Sequence, residues 1–294
     1  MGTPLIETKD LKKYFNTPKG DLHAVDNVNL TINRGQTLGV VGESGCGKST
    51  LGRTILRLLE ATSGEILYEG ENILNYDSNK MNKMRQKMQI IFQDPYSSLN
   101  PRMTVNEIIA EPIKVCKTIK NKNDINDKVL ELMEVVGLAE RFVNAYPHEL
   151  DGGRRQRIGI ARALALEPEF IVCDEPVSAL DVSIQAQILN LMMDLQDEIG
   201  LTYMFITHDL SVVKHISNEI AVMYLGQVVE KAPSDELFNN PLHPYTKALL
   251  DAIPIPKLNS NNSLKNIIKG EVTSPINPKP GCRFYTRCPV SKKE

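Results

Sequence analysis

The residues from Gly42 to Thr50 are the stretch whose types and spacing point most directly to a chemistry. Two glycines five positions apart are followed by a lysine and a serine. Glycines let successive backbone N–H groups turn toward one anion, and the N-terminus of a following helix adds its positive dipole end. In such a loop the lysine reaches phosphate oxygens and the serine hydroxyl ligates Mg²⁺. The loop residues are Gly42, Glu43, Ser44, Gly45, Cys46, Gly47, Lys48, Ser49 and Thr50.

The segments on either side of this loop decide between two interpretations. A turn that is merely rich in glycine needs no particular neighbours. Here an apolar run at residues 37–41 predicts a buried strand before the loop, and the aliphatic residues 51–59 predict a helix after it. The order strand, glycine-rich loop, helix favours a phosphate-binding loop, and the sequence therefore predicts a site for a nucleoside triphosphate.

A second candidate site lies where the apolar run Phe170–Cys173 ends in Asp174 and Glu175. At the carboxyl end of a parallel strand beside the loop, Asp174 could hold Mg²⁺ directly or through water. Glu175 could then orient or deprotonate the water that attacks the terminal phosphate. Taken alone the pattern is weak, since many strands end in a solvated acidic turn.

Three further polar positions could act together with Asp174 and Glu175. Gln93 ends a predicted strand and could reach the metal or its water, and His208 ends another strand and could contact the γ-phosphate. A lone histidine after a strand is more often structural. Residues 151–157 open a helix with one acid and two glycines, Asp151, Gly152 and Gly153, which an ordinary N-cap would also explain.

Composition limits the classes of function. The chain has 294 residues, of which 41% are hydrophobic, and a net charge of −2, which gives no reason to expect nucleic acid as a partner. No run approaches the 18 apolar residues of a membrane span, and the first residues lack a secretory apolar core. Five scattered cysteines argue against a disulfide framework and for a reducing cytosol.

Periodicity predicts three kinds of architecture along the chain. Alternating residues with turn signals before the loop predict short antiparallel strands, and residues 94–149 carry helical spacing. Strands and helices alternate after the loop, which is typical of a parallel α/β sheet.

After about residue 254 the composition turns to Pro, Asn and Lys. Residues 253–294 hold eight basic against two acidic residues, and we expect a solvated, loosely folded tail.

Together these motifs resemble the ATP-binding-cassette (ABC) ATPases, over roughly residues 4–250. The loop, Gln93, the signature-like residues 150–157, the acids 174–175 and His208 occur in family order. The resemblance implies a P-loop NTPase parallel sheet core with an N-terminal antiparallel β subdomain and an inserted helical subdomain. It also implies a head-to-tail dimer in which each ATP lies between the P-loop of one subunit and the signature helix of the other. Asp181 is similar to a family position between the acids and the dimer interface.

The family also places an aromatic ring against the adenine, upstream of the P-loop. Phe15 is the preferred match and Tyr14 the alternative, and either could instead belong to the core. The predicted boundaries are an ABC nucleotide-binding domain at 1–250, with its helical subdomain at about 95–160, and a basic tail at 251–294.

A narrower resemblance concerns the cargo. Residues 93–105, 242–250 and 281–289 are similar to the importers of oligopeptides, dipeptides and nickel, and most like the second of their two paired ATPases. This implies transmembrane permease subunits, a second ATPase or a second copy of this chain, and an extracytoplasmic binding protein that acts indirectly. The chain would sit at the cytoplasmic face of the membrane. A nickel importer ATPase is the closer alternative, and a soluble ABC ATPase that works on ribosomes or DNA the more distant one.

Two features depart from the subgroup. Its tail cysteines can hold an iron–sulfur cluster, but here only Cys282 and Cys288 are present, so a complete cluster needs cysteines that this chain lacks. Its signature usually begins with serine, where this chain has Asp151. A carboxylate facing the γ-phosphate at about 4 Å is repelled by about 4 kcal/mol at a dielectric near 20. We expect this to weaken one of two ATP sites unless Asp151 caps its own helix or pairs with Arg154 or Arg155.

Overall fold

The described chain is a mixed α/β protein. A computed structural model describes residues 4–94, 96–253 and 273–291. The strands are β1 (Pro4–Thr17), β2 (Gly20–Asn33), β3 (Thr37–Val41), β4 (Ser63–Tyr68), β5 (Glu71–Asn72), β6 (Met88–Ile91), β7 (Phe170–Asp174), β8 (Thr202–Ile206), β9 (Glu219–Tyr224) and β10 (Gln227–Pro233). The α-helices are α1 (Lys48–Ile55), α2 (Ser78–Lys87), α3 (Val105–Cys116), α4 (Lys122–Val135), α5 (Gly152–Leu164), α6 (Val182–Ile199), α7 (Leu210–Ile216), α8 (Ser234–Asn239) and α9 (Pro244–Asp251).

The first of two compact units contains the described residues up to 75 and from 205 onward. Its antiparallel sheet has the order β2-β1-β4-β5, with Ile6 opposite Ile32 on one side and Tyr68 on the other. A second set of strands pairs β3 with β9 in parallel and β9 with β10 antiparallel. Every residue of β3 is buried, as its apolar sequence predicts for a strand with both faces covered.

The C-terminal residues of this unit correct one expectation. Residues 273–291 are mostly exposed or half-buried, but the prediction of a loosely folded tail is wrong for them, because Phe284 is 1% exposed and lies in a core cluster with Tyr224 and Tyr245. The backbone N–H of His23 also donates to the carbonyl oxygen of Pro275 at 3.0 Å. The basic composition of this segment does not indicate such anchoring, because the segment contains few apolar residues. The rest of the predicted tail, 254–272 and 292–294, lies outside the described residues.

The second unit contains residues 76–204 and pairs β6 with β7 in parallel, with Ile90 opposite Val172. Between these strands, α3 packs against both α4 and α5. Thr104 begins α3 with a reciprocal capping box to Glu107, and Gly137 adopts a left-handed φ of +65° just after α4, as a helix end requires. The helical subdomain predicted at about 95–160 includes α3, α4 and the first part of α5. Its boundaries stay a prediction, and Pro95 lies outside the described residues.

Helix lengths and polarity also bear on membrane contact. Among the residues described, no helix combines the length and the apolar character needed to cross a membrane.

Candidate functional site

The predicted phosphate loop connects β3 to α1 in the first unit, and its glycines are sterically required. Gly47 has a φ of +109°, and a Cβ there would lie 2.0 Å from the carbonyl oxygen of Ala24. Gly42 has a φ of +155°, and its Cβ would lie 2.2 Å from the carbonyl oxygen of Met223. Only glycine fits both the left-handed backbone and the close approach. The loop conformation is therefore determined by contacts with neighbouring strands as well as by its own sequence.

Lys48 is the first residue of α1, and its side chain lies against the loop. Although it is charged, it is only 5% exposed, and its Nζ donates to the carbonyl oxygens of Gly42 at 2.8 Å and Glu43 at 3.1 Å. The N-terminus of α1 has no side-chain cap, because the cap position is Gly47. An ammonium group and uncapped helix amides together favour an anion.

The remaining loop residues differ in exposure. Ser44 and Gly45 are exposed, whereas the Cys46 thiol is buried, and this burial raises its pKa. Ser49 and Thr50 lie in the first turn of α1. The buried thiol behaves as a small packing group, which leaves the chemistry of the loop to its amides, lysine and hydroxyls.

The two aromatic candidates for adenine contact are used differently. The Tyr14 ring stacks on His23 at 3.8 Å between centroids, and its hydroxyl donates to Asp26. Burial and this hydrogen bond raise the pKa of Tyr14 to about 12. Phe15 is half-buried, and the Lys13 ammonium lies 4.8 Å from its ring centroid. Tyr14 is therefore already engaged with His23 and Asp26, and Phe15 stays the preferred candidate for contact with the adenine.

His208 lies two residues beyond β8. The backbone N–H of Thr207 donates to the carbonyl oxygen of Val40 in β3 at 3.1 Å. Since Val40 precedes Gly42 by two residues, this bond places exposed His208 at the end of β3 from which the phosphate loop begins. The structure therefore brings His208 and the loop to the same edge of the first unit.

The two acids lie at the end of β7 in the second unit. Asp174 is 1% exposed, and Glu175 follows it with a left-handed φ of +50°. A residue other than glycine in that region costs on the order of 1–2 kcal/mol. The Nε2 of Gln93 donates to Oε2 of Glu175 at 3.0 Å, so these two predicted residues meet. Strain of this kind at a paired carboxylate is often found at functional sites.

The sequence left open whether Asp151 caps its own helix or pairs with Arg154 or Arg155, and the structure shows its contacts. Its Oδ1 accepts the backbone N–H of Arg154 at 2.8 Å as the cap of α5, and its Oδ2 pairs with Nη1 of Arg154 at 2.6 Å. Arg155 instead donates from Nε to the carbonyl oxygen of Pro147. Both conditions that would cancel the repulsion are met, with Arg154 as the partner. The Asp151 side chain nevertheless remains 58% exposed.

The other predicted positions are placed as follows. A Cβ on Gly153 would lie 2.7 Å from Ile184, whereas one on Gly152 would lie 3.1 Å from Leu180, so the opening turn of α5 packs closely against the segment that enters α6. Asp181 is exposed at the start of α6 without a side-chain cap bond. Its role stays a prediction.

The C-terminal region contains the two cysteines Cys282 and Cys288. Cys282 is exposed and Cys288 half-buried, and both are free thiols. Within residues 4–94, 96–253 and 273–291, no group of three or more His, Cys, Asp and Glu side chains is placed to hold a metal ion.

Sequence reasoning missed the residues that surround Glu43. The backbone N–H of Glu43 donates to Oη of Tyr245 at 2.9 Å, and the Glu43 carboxylate receives two N–H groups from Arg287. No local pattern indicates these contacts, since they join the loop to residues more than 200 positions away. Arg287 and Tyr245 are therefore additional candidates for residues that act on the loop.

Two family models match the chain. The ABC transporter family matches residues 25–178, and the C-terminal region of the oligopeptide/dipeptide transporter family matches residues 229–294. The first match contains the phosphate loop and the acids of β7. The second contains α9 and the residues that contact Glu43.

Named relatives are similar over most of their length. The chain is 61% identical over 257 residues to the oligopeptide transport ATP-binding protein OppF of Bacillus subtilis, which covers 87% of this chain and 84% of that protein. It is 53% identical over 290 residues to OppF of Salmonella typhimurium, with 98% and 87% covered. The dipeptide transport ATP-binding protein DppF of Escherichia coli is 51% identical over 292 residues, with 97% and 86% covered.

A solved structure has the same fold. The ATP-binding cassette MJ0796, solved as a dimer with ADP and Pi in a post-hydrolysis state, aligns with a TM-score of 0.72 and 31% identity. The alignment covers 78% of this chain and 98% of that chain. Fold, loop geometry and relatives agree, and the chain belongs to the ABC transporter family.

Proposed function

We propose that this chain is the ATP-hydrolysing subunit of an importer of oligopeptides or dipeptides. The observation that carries the proposal is the match of residues 229–294 to the C-terminal region of oligopeptide/dipeptide transporters. An ABC ATPase without that region would leave the cargo open, because the nucleotide motifs are shared by the whole family. The relatives named for oligopeptide and dipeptide transport support the same choice.

We assign ATP to the loop of residues 42–50. Its amides and the Lys48 ammonium would bind the phosphates, and Phe15 would stack on the adenine. Ser49, Gln93 and Asp174 supply hydroxyl, amide and carboxylate oxygens, the ligands that Mg²⁺ takes in proteins. The amide nitrogen of Gln93 donates to Glu175, which leaves its oxygen as the ligand atom. When bound, the ion neutralises charge on the phosphate oxygens.

Glu175 is the proposed general base. Its carboxylate would orient the attacking water and accept its proton, while the hydrogen bond from Gln93 and the constrained backbone at φ +50° limit where that carboxylate can point. His208 would contact the γ-phosphate from the loop side. Catalysis would then come mainly from positioning and charge stabilisation, as is general for phosphoryl transfer.

The proposed assembly has four kinds of component. A second ATPase, either a paralogue or another copy of this chain, would place its signature helix over the ATP, and Asp151, Gly152, Gly153 and Asp181 would serve the partner's site in turn. Two transmembrane permease subunits would hold the ATPases at the cytoplasmic face of the membrane. An extracytoplasmic binding protein would deliver the peptide.

Reconstitution tests this function. The chain, a candidate partner ATPase and the permease subunits are placed in liposomes, and ATP turnover is measured with binding protein loaded with peptides of two to eight residues or with a nickel chelate. We expect peptide to raise turnover and nickel to leave it unchanged, with Lys48→Ala as the inactive control. Stimulation by nickel alone, or isolation with ribosomes instead of membrane subunits, would contradict the proposal.

A further inference from the structure

The P-loop residue Glu43 is held by an arginine from the far end of the chain. Nη1 and Nη2 of Arg287 donate to the two carboxylate oxygens of Glu43 at 3.0 and 3.1 Å, across 244 positions of sequence. The Arg287 side chain is 7% exposed and that of Glu43 29%. Two parallel charge-assisted bonds fix direction as well as distance, and low exposure limits their screening by salt.

A buried aromatic cluster holds Arg287 in turn. Its guanidinium carbon lies 5.7 Å from the ring centroid of Tyr224, and Nη1 is 3.4 Å from the Tyr224 hydroxyl. Phe284, three residues before Arg287, packs edge-on against Tyr224 at 5.2 Å and tilted against Tyr245 at 5.5 Å. Tyr245 itself accepts the backbone N–H of Glu43. The main chain of Glu43 therefore contacts this buried cluster directly, and its side chain contacts it through Arg287.

The other end of the loop has a similar connection. Arg283 donates to the carbonyl oxygen of Leu225 and to the Asp26 carboxylate. The next residue, Gly226, donates its N–H to the carbonyl oxygen of Cys46 at 2.7 Å. Arg283 thus stabilises the turn that contacts the loop just before Lys48. Arg287 therefore contacts the start of the loop directly, and Arg283 acts on its other end through the turn at Gly226.

The contacts of Glu43 affect Lys48, the residue proposed to bind phosphate. The two carbonyl oxygens that receive the Lys48 ammonium are those of Gly42 and Glu43, so movement of Glu43 would move both acceptors. We propose that Arg287 is a positioning residue for ATP binding, which acts through Glu43 to hold the loop and Lys48 in the conformation that receives the phosphates. This inference rests on the proposed function, since it takes ATP as the ligand.

Four full-length variants test the inference by ATP titration and thermal unfolding. They are Arg287→Gln, Glu43→Gln, the double variant, and the control Arg34→Gln, whose guanidinium pairs with Glu69. We expect Arg287→Gln to raise the ATP dissociation constant about 10-fold, in keeping with the loss of hydrogen bonds to a charged group. The double variant should match the single ones, because both remove the same interaction. The control should change ATP affinity less than about 2-fold.

A structural role alone predicts a different result. If Arg287 only fastens the C-terminal region, Arg287→Gln lowers the unfolding temperature but leaves the ATP dissociation constant within 2-fold of the parent, and the inference is overturned. Should that variant fail to fold, Arg287→Lys and Glu43→Gln carry the test, and unchanged ATP affinity in both overturns it equally. Absence of ATP binding by the parent chain would instead contradict the proposed function.

Discussion

Lys48 has its ammonium group satisfied inside its own loop, by the carbonyl oxygens of Gly42 and Glu43. These two acceptors fix the position of the ammonium nitrogen before any ligand binds. At the acids of β7, the Gln93 amide similarly fixes Glu175 beforehand. Both side chains are therefore held in position in the ligand-free chain.

Replacing Glu175 with Gln should separate ATP binding from hydrolysis. The amide keeps the size of the side chain but cannot accept the proton of the attacking water, and loss of such a group typically costs about 10²–10⁴-fold in rate. ATP turnover in the assembled transporter and ATP affinity are the two measurements. Glu198→Gln, an exposed acid of α6, is the control. Turnover near the parent rate in the Glu175 variant would show that another group activates the water.

Arg154 should matter more than Asp151 at the facing ATP site. The Asp151 carboxylate is already paired, so Asp151→Ser should change ATP occupancy at the partner's P-loop less than about 3-fold. Arg154→Gln keeps the backbone cap but removes the countercharge, and it should lower that occupancy at least about 5-fold, from about 1 kcal/mol between unit charges 4 Å apart in water.

The double substitution of Asp151 and Arg154 provides the internal control. Removing both charges should restore occupancy to near the parent level, because no unpaired carboxylate remains. Photolabelling of each P-loop with an ATP analogue in the assembled dimer would measure the two sites separately. A large gain from Asp151→Ser alone would mean that Arg154 does not neutralise the carboxylate in the dimer.

Elements that a contiguous stretch of sequence determines could be predicted, whereas contacts between distant stretches could not. The order β3, loop, α1 is contiguous, and the cap at Gly137 follows from its own periodicity and residue type. Phe284 and Arg287 could not be placed in this way, because their partners Tyr224 and Glu43 are distant in sequence. Asp151 was ambiguous for another reason, since the same residue can cap its own helix and also lie beside a phosphate bound by a second subunit.

Phe284→Ala should destabilise the first unit. The ring is 1% exposed and contacts Tyr224, Tyr245 and His243, and removing a buried phenyl group typically costs about 3–5 kcal/mol. Urea unfolding of the ligand-free chain measures the loss. Val290→Ala, at a residue 71% exposed, should stay within about 0.5 kcal/mol of the parent. Equal effects of the two changes would show that residues 273–291 do not anchor the unit.

For the whole molecule, catalysis is expected to depend on association. The proposed ATP site needs a signature helix from a second ATPase, so the chain alone should bind ATP but hydrolyse it slowly. Specific activity should rise with concentration if the chain pairs with itself, or on addition of the partner ATPase if it does not. Light scattering under the same conditions reports the oligomer. Fast turnover by a demonstrated monomer, independent of concentration, would rule out the shared site.

The pair of Glu43 and Arg287 has a consequence for how this sequence can evolve. Although 244 positions separate them, a change at either one alters the requirement at the other, so the two positions should accept substitutions jointly and not independently. If both codons are randomised and cells are selected for growth on peptide as the sole source of an essential amino acid, surviving pairs should be enriched in complementary combinations. Substitutions in the phosphate loop would then be correlated with substitutions near the other end of the chain.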